Sequence, residues 1–194
     1  YQSENLWMYT AAALITSRLN QRSLTLAGPR SKVTILAGGE MGNVLQSLVM
    51  HPDTTLDLMD NDLILRATSA NKDAIHADAQ AKIQSAQNGL DPNLVTNWNG
   101  PGITSLSART SNVATGFDLV GLGVIRNSDL DIITGVSGSS YQSFGGVPVT
   151  PDDVLIKHTY VGDANLNGAV TFDDYVGMDN AFFGLIPNLG WTTG

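Results

Sequence analysis

Leu24-Thr25-Leu26, Val33-Thr34-Ile35-Leu36, Val44-Leu45-Gln46-Ser47-Leu48-Val49, Leu56-Asp57-Leu58 and Leu63-Ile64-Leu65 are five short apolar or alternating runs following one another. Gly28-Pro29, Gly38-Gly39, Pro52-Asp53 and Asp60-Asn61-Asp62 separate them. Runs this short, rich in β-branched and large aliphatic side chains and bounded by turn formers, read as strands. Their spacing of about ten residues suits a sandwich or the stacked rungs of a β-solenoid. Rungs are favoured, because no strong two-residue hairpin signal joins the early strands.

Outward from this block the pattern changes. Residues 1–22 form an N-terminal segment in which Ser3 is a candidate cap before Leu6, Tyr9, Ala13 and Leu14, and a helix is expected there. Residues 71–87 read as a second helix, with Ile75, Ala79, Ile83 and Ala86 on one face and Asn88-Gly89 as its stop. Placed after the last rung, it would cover an open sheet end. Asn97 to Gly102 is a turn-rich loop around Trp98, and Ser105 to Ala114 reads as a short helix. Phe117 to Ile125 and Val154 to Val161 read as strands, and Ser137 to Gly146 as a flexible connector.

The most chemically specific segment is Asp163-Ala164-Asn165-Leu166-Asn167-Gly168-Ala169-Val170-Thr171-Phe172-Asp173-Asp174. A hard cation needs several oxygens around it, so a chain that binds one presents short oxygen-bearing side chains at alternate positions and then turns sharply. Asp163, Asn165 and Asn167 fill positions one, three and five of an EF-hand-like loop, and Gly168 stands at the bend. The carbonyl of Ala169 is the expected position-seven ligand, Thr171 holds a water at position nine, and Asp174 closes the shell. Val170 is expected to pack the loop inward. Thr171 and Asp174 then start a helix in the manner of a capping box. Along it Tyr175, Met178, Phe182 and Leu185 form the stripe expected to be buried, and Gly184 and Pro187 stop it. With only two carboxylates certain to contribute charge, the expected Ca²⁺ affinity is weak, on the order of 10⁻⁴ to 10⁻³ M, the range of extracellular sites.

The whole chain narrows the setting. At 194 residues, 42% of them hydrophobic, it can bury one good core or two small ones. A net charge of −8 argues against a nucleic-acid surface, and the absence of cysteine excludes disulfides and thiol chemistry. No apolar run approaches the ~20 residues of a membrane helix, so no membrane span is expected. The chain starts at Tyr1 without the basic flank of a signal peptide, and reads as part of something longer. Residues 1–50 carry four basic and two acidic side chains, and residues 151–194 one basic and six acidic, an asymmetry that favours head-to-tail contact.

An Asp-x-Asn-x-Asn-Gly start closing on Asp174 instead of Glu resembles the repeat of type I dockerins, which implies a loop followed by a helix, usually in two copies. A wider resemblance rests on Thr55-Leu56-Asp57-Leu58-Met59-Asp60-Asn61-Asp62-Leu63-Ile64-Leu65, on Trp98-Asn99-Gly100-Pro101-Gly102-Ile103-Thr104-Ser105, and on Phe144-Gly145-Gly146 leading to Asp153 through Gly168. These segments look like the C-terminal region of very large secreted, autotransporter-like β-solenoid proteins of planctomycetes and related bacteria, which end in a dockerin-like module. The likeness covers most of residues 23–185; residues 1–20 depart from it, and no second Asp-rich loop precedes Gly194.

Catalytic patterns are thin. Gly121-Leu122-Gly123 lacks the third glycine of a dinucleotide loop, Arg126 standing in its place. Asp57, Asp60 and Asp62 either line a groove, as the acids of β-helical polysaccharide lyases do, or mark rung corners. Asp152-Asp153 reads as a turn, and Asp173 as a solvated neighbour of the calcium ligand. His51, His76 and His158 are scattered, His158 as a half-buried structural residue. Trp98 and Tyr141 are candidates for stacking on sugars, although a lone aromatic in a Gly-Pro loop more often anchors the loop.

The sequence thus predicts a mainly β protein with a few helices: a β-solenoid- or sandwich-like body with a helical cap over residues 23–150, then a strand and dockerin-like calcium loop-helix over 151–194. The expected metal ligands are Asp163, Asn165, Asn167, Ala169, Thr171 and Asp174, with no catalytic residue. The expected role is a secreted structural protein of the cell surface that self-associates head to tail, as a filament or surface layer, or meets a cell-surface protein. The alternatives are a cohesin-type binding module and a fragment of a polysaccharide-active enzyme.

Overall fold

The computed structural model describes residues 5–9 and 11–182, with backbone alone at residues 177, 178 and 180–182. In chain order it has β1 (Leu6–Met8), β2 (Ala13–Thr16), β3 (Asn20–Leu26), β4 (Lys32–Ile35), β5 (Asn43–Met50), β6 (Thr55–Asp57) and β7 (Leu63–Leu65). Then come α1 (Lys72–Gln87), β8 (Gly102–Thr104), α2 (Leu106–Thr115), β9 (Val120–Arg126) and a 3-10 turn (Asn127–Asp129) running into α3 (Leu130–Ile133). The hairpin β10 (Ser143–Phe144) and β11 (Val147–Pro148), β12 (Val154–Tyr160) and α4 (Phe172–Phe182) complete it. The protein is mixed α/β, mostly strands gathered in sheets with few helices.

Successive strands alternate between two sheets. The six-stranded sheet has the order β1-β3-β5-β7-β12-β9 and the four-stranded sheet the order β2-β4-β6-β8. From β1 to β7 and from β2 to β8 every pairing is parallel. Leu6 lies opposite Leu24, Asn20 opposite Val44 and Asn43 opposite Leu63, so one passage through both sheets takes about twenty residues. Parallel neighbours need a crossover and not a tight hairpin, which agrees with the turn residues between these runs. β12 breaks the pattern, lying antiparallel to β7 on one side and to β9 on the other. Leu155 sits opposite both Ile64 and Ile125.

Strand periodicity builds two cores. Side chains pointing between the sheets, among them Leu24, Leu26, Leu45, Leu63, Val154 and Ile156 from one and Val33, Ile35, Leu56 and Ile103 from the other, share the larger cluster. The alternate residues Val44, Ile64, Ile125 and Leu155 point the other way, into a second cluster with Leu130, Ile133, Phe144, Val147, Ala164 and Leu166. β7 and the first half of β12 are therefore buried on both faces. Three layers result: the four-stranded sheet, the six-stranded sheet, and an outer layer of α3, the β10–β11 hairpin and the loop after β12.

α1 ends as read from sequence, at Asn88 in a left-handed conformation. Its Ala79 and Ile83 join the larger cluster beside Ile103 of β8 and Val124 of β9, so the helix lies against both sheets. The approach is close: a Cβ on Gly102, whose φ is +120°, would run into the Lys82 carbonyl, and one on Gly100 into that of Ser85. Trp98 is buried and anchors this loop.

Several expectations are corrected. Residues 1–22 hold no helix among the described residues but β1 and β2, whose side chains alternate in exposure with period two and pair in register with β3 and β4. Cross-strand pairing outweighs the weak helical spacing of Leu6, Tyr9 and Ala13. Ser3, Gly184, Leu185 and Pro187 lie outside the described residues. The connector around 137–146 is no loose linker: Gly145 and Gly146, both at positive φ, turn a hairpin whose Phe144 and Val147 are buried. Residues 151–160 are built into the same sheet as the earlier strands, through β12.

Candidate calcium site at the end of the central strand

The loop leaves β12 directly. Gly162, at φ +99°, releases the chain from the sheet, and the next four residues are all buried. Ala164 and Leu166 enter the outer core cluster, so the apolar residues between the candidate ligand positions fix the loop to the body, while Asp163 and Asn165 accept from the loop's own Asn167 N–H. Leu166 adopts φ +61°, a conformation costing a side-chain-bearing residue about 1–2 kcal/mol. Complete burial of its isobutyl group, about 1.5–3 kcal/mol, offsets that. Val170 is not the buried anchor expected from its position; it is 40% exposed and lies beside Gly162.

All six residues expected to supply ligands are drawn into one hydrogen-bond network. Asp163 accepts from the backbone N–H of Asn167 at 3.0 Å and of Gly168 at 2.9 Å. Asn165 Oδ1 accepts from the Asn167 N–H at 2.9 Å, and Asn167 Oδ1 from the Ala169 N–H at 2.9 Å. Asp174 closes the ring: its Oδ1 accepts from the Asn165 N–H at 3.2 Å and its Oδ2 from the Thr171 N–H at 2.8 Å. That second bond is half of the expected capping box, and it starts α4. Ala169 takes part through its N–H; its expected role is through its carbonyl. Tyr175, placed by sequence on the buried stripe of α4, is exposed, and the side chains of Met178 and Phe182 lie outside the described residues.

Three contributors were missed or misjudged from sequence. Asp173 is more than a solvated neighbour: its carboxylate accepts from the Thr171 hydroxyl and, at 2.6 Å, from the Asn165 amide, and the Thr171 bond above all holds it below the usual carboxylate range. Thr159, on β12, donates its hydroxyl to Asp163. Tyr141 donates its hydroxyl to the Asn165 carbonyl at 3.0 Å and tilts against Phe144. Burial, followed by the field of Asp163, Asp174 and Asp173, pushes the Tyr141 hydroxyl up to about 12. Thr159 and Tyr141 lie outside the loop's sequence and reach it only through the fold.

Two carboxylates, Asp163 and Asp174, are fully buried here. Burying anionic oxygens is costly unless donors or a cation meet them. Among the described residues Asp174 forms no ion pair; backbone N–H groups hold it. No three His, Cys, Asp or Glu side chains among the described residues form a ready metal cluster. The loop's donors are instead two carboxylates, two amide oxygens, a hydroxyl and a backbone carbonyl, an all-oxygen mixture that suits a hard cation such as Ca²⁺ and not zinc. On donor chemistry the residues fit the ion.

The other candidate residues do not converge. Asp57 is buried on the four-stranded sheet, paired with Lys32 at 3.1 Å and accepting from the Leu106 N–H. Asp60 accepts from the Gly38 N–H, while Asp62, raised by burial against the lowering effect of Lys157, lies near Gly145 in the outer layer. Asp152 pairs with Lys72 and the buried Asp153 with Arg66, at 3.1 and 2.7 Å. Gly121-Leu122-Gly123 lies inside β9. Among the described residues no helix is long and apolar enough to cross a membrane. Comparison with protein-family models, with curated proteins and with solved structures returns no match to this chain.

Proposed function

We propose that this chain is a structural end-piece of a secreted, cell-surface protein: a β-solenoid-like body with a helical cap, finished by a dockerin-like loop that binds Ca²⁺ and braces the end. One observation carries the reading. The parallel stacking of β1 to β7 stops where β12 enters antiparallel, and the calcium-type loop issues directly from that strand. An antiparallel strand in that place interrupts the register by which parallel rungs add, and so acts as a terminator. The ion's part is to neutralise buried carboxylates and tie loop to helix, leaving chemistry to other proteins.

Assembly belongs at the opposite end. Among the described residues nothing pairs with the outer edges of β1 and β2, and Trp7 and Tyr9 stack in the open beside them, with ring centroids 5.6 Å apart. An edge with unpaired backbone groups and exposed aromatics is suited to further β-rich structure, whether a preceding segment of the longer protein of which this chain reads as part, a second copy or a cell-surface protein.

The test is thermal denaturation in chelator and in 10 mM CaCl₂, with MgCl₂ as control, alongside calorimetric titration. For the expected affinity, calcium stabilises by about 1.4–2.7 kcal/mol at that concentration. That raises Tm by roughly 3–10 °C. A flat isotherm with superimposable melts removes calcium from the proposal.

A further inference from the structure

The loop is held at two points by residues that the calcium pattern does not contain. Thr159 lies in β12, the strand between β7 and β9, and is buried. Its hydroxyl donates to Asp163, the first loop position. Tyr141 precedes the β10–β11 hairpin, packs on Phe144, and donates to the carbonyl of Asn165, the third position. Ala164 and Leu166 are buried in the outer core, against which Tyr141 also packs. The first half of the loop is thus fastened to the folded body, whereas Asn167, Ala169 and Thr171 are exposed.

We propose that Thr159 and Tyr141 are positioning residues of the calcium site: the body holds Asp163 and Asn165 in place, and calcium affinity is set from outside the loop. The inference rests on the calcium reading above. Binding by a flexible loop must bear the cost of ordering its ligands, and a pre-ordered one avoids that cost. With only two carboxylates fully buried around the network, ordering is where a weak site has most to gain. The same contacts run the other way: occupancy of the loop is linked to the hairpin and to β12, so calcium tightens the outer layer as a unit.

The experiment is calorimetric calcium titration of the wild-type chain and of Thr159→Val, Thr159→Ser and Tyr141→Phe, with melts of each in chelator. Each hydroxyl makes one hydrogen bond, so Thr159→Val and Tyr141→Phe are expected to weaken calcium binding by about 3- to 10-fold each. Thr159→Ser keeps the hydroxyl and is expected to bind within about 2-fold of wild type, an outcome that a purely structural role for the side chain does not require. Equal affinity in wild type, Thr159→Val and Tyr141→Phe overturns the inference while leaving the calcium reading intact. Absence of binding by the wild type overturns both. If Thr159→Val does not fold, Tyr141→Phe against Thr159→Ser decides on the same criterion.

Discussion

At the scale of single residues, buried asparagines stitch the turns. Asn43 Oδ1 accepts from the Leu19 N–H at 2.7 Å and its amide donates to the Asp62 carbonyl at 2.9 Å, joining three consecutive bends. Asn61 does the same between the Leu36 and Leu58 carbonyls and the Gly39 N–H. Asn127 binds the Tyr141 and Thr150 carbonyls and the Tyr141 N–H. Each satisfies backbone groups that leave the ladder where the chain bends. Asn43→Ala strands the buried Leu19 N–H, at a cost of about 1–3 kcal/mol. The expected fall in Tm is roughly 2–12 °C, against a negligible change for the exposed Gln84→Ala. A Tm for Asn43→Ala equal to that of wild type removes the stitch from the account. Of the three, only Asn61 stands in a turn marked by sequence, because the role of each depends on which bend lies above which.

At the scale of elements, what was legible follows from what is local. The runs of β3 to β7, helix α1 with its Asn88 stop, and α2 after the Ser105 cap rest on periodicity and capping, which neighbouring residues encode. β1 and β2 were misread because three apolar residues at helical spacing match both patterns until their partners in β3 and β4 are known. The hairpin was misread because Ser137-Gly138-Ser139-Ser140 looks like linker, whereas Phe144, Val147 and Val149 carry it into the outer core. In the loop proposed for calcium the spacing singles out Asp163, Asn165, Asn167, Thr171 and Asp174, which share one hydrogen-bond network, but it could not point to Thr159, Tyr141 or the exposure of Val170. The seat of α1 supplies a second outcome. Gly102→Ala combines a positive φ with a collision against the Lys82 carbonyl, neither of which a flexible side chain relieves. We expect a loss above about 2 kcal/mol, read as a lowered denaturant midpoint with unchanged slope. Gly89→Ala, with open space around its Cβ, tests the φ effect alone and is expected to cost about 1 kcal/mol.

At the scale of the whole molecule, pH acts on the interior between the sheets and α1. His76 on α1 and His158 on β12 are half to fully buried, and neither Nε2 has a hydrogen-bond partner among the described residues. Burial pushes both below the ordinary histidine value. Arg126 adds to the effect at His76, against Asp129 and Asp73, while Asp60 opposes it at His158. A histidine depressed in the folded state binds its proton more readily when unfolded. The unfolded chain therefore takes up more protons below about pH 6.5, and stability falls as pH drops through that value toward the folded-state pKa. Asp62, raised by burial, has the opposite sign but acts in the window just above its ordinary 3.8. A rise in Tm from pH 5 to pH 7.5 in chelator is expected, and the double variant His76→Gln/His158→Gln should flatten it. A slope that survives in the double variant assigns it to other groups. A slope absent from wild type shows that these two imidazoles charge as easily folded as unfolded, which their burial beside unpartnered nitrogens opposes.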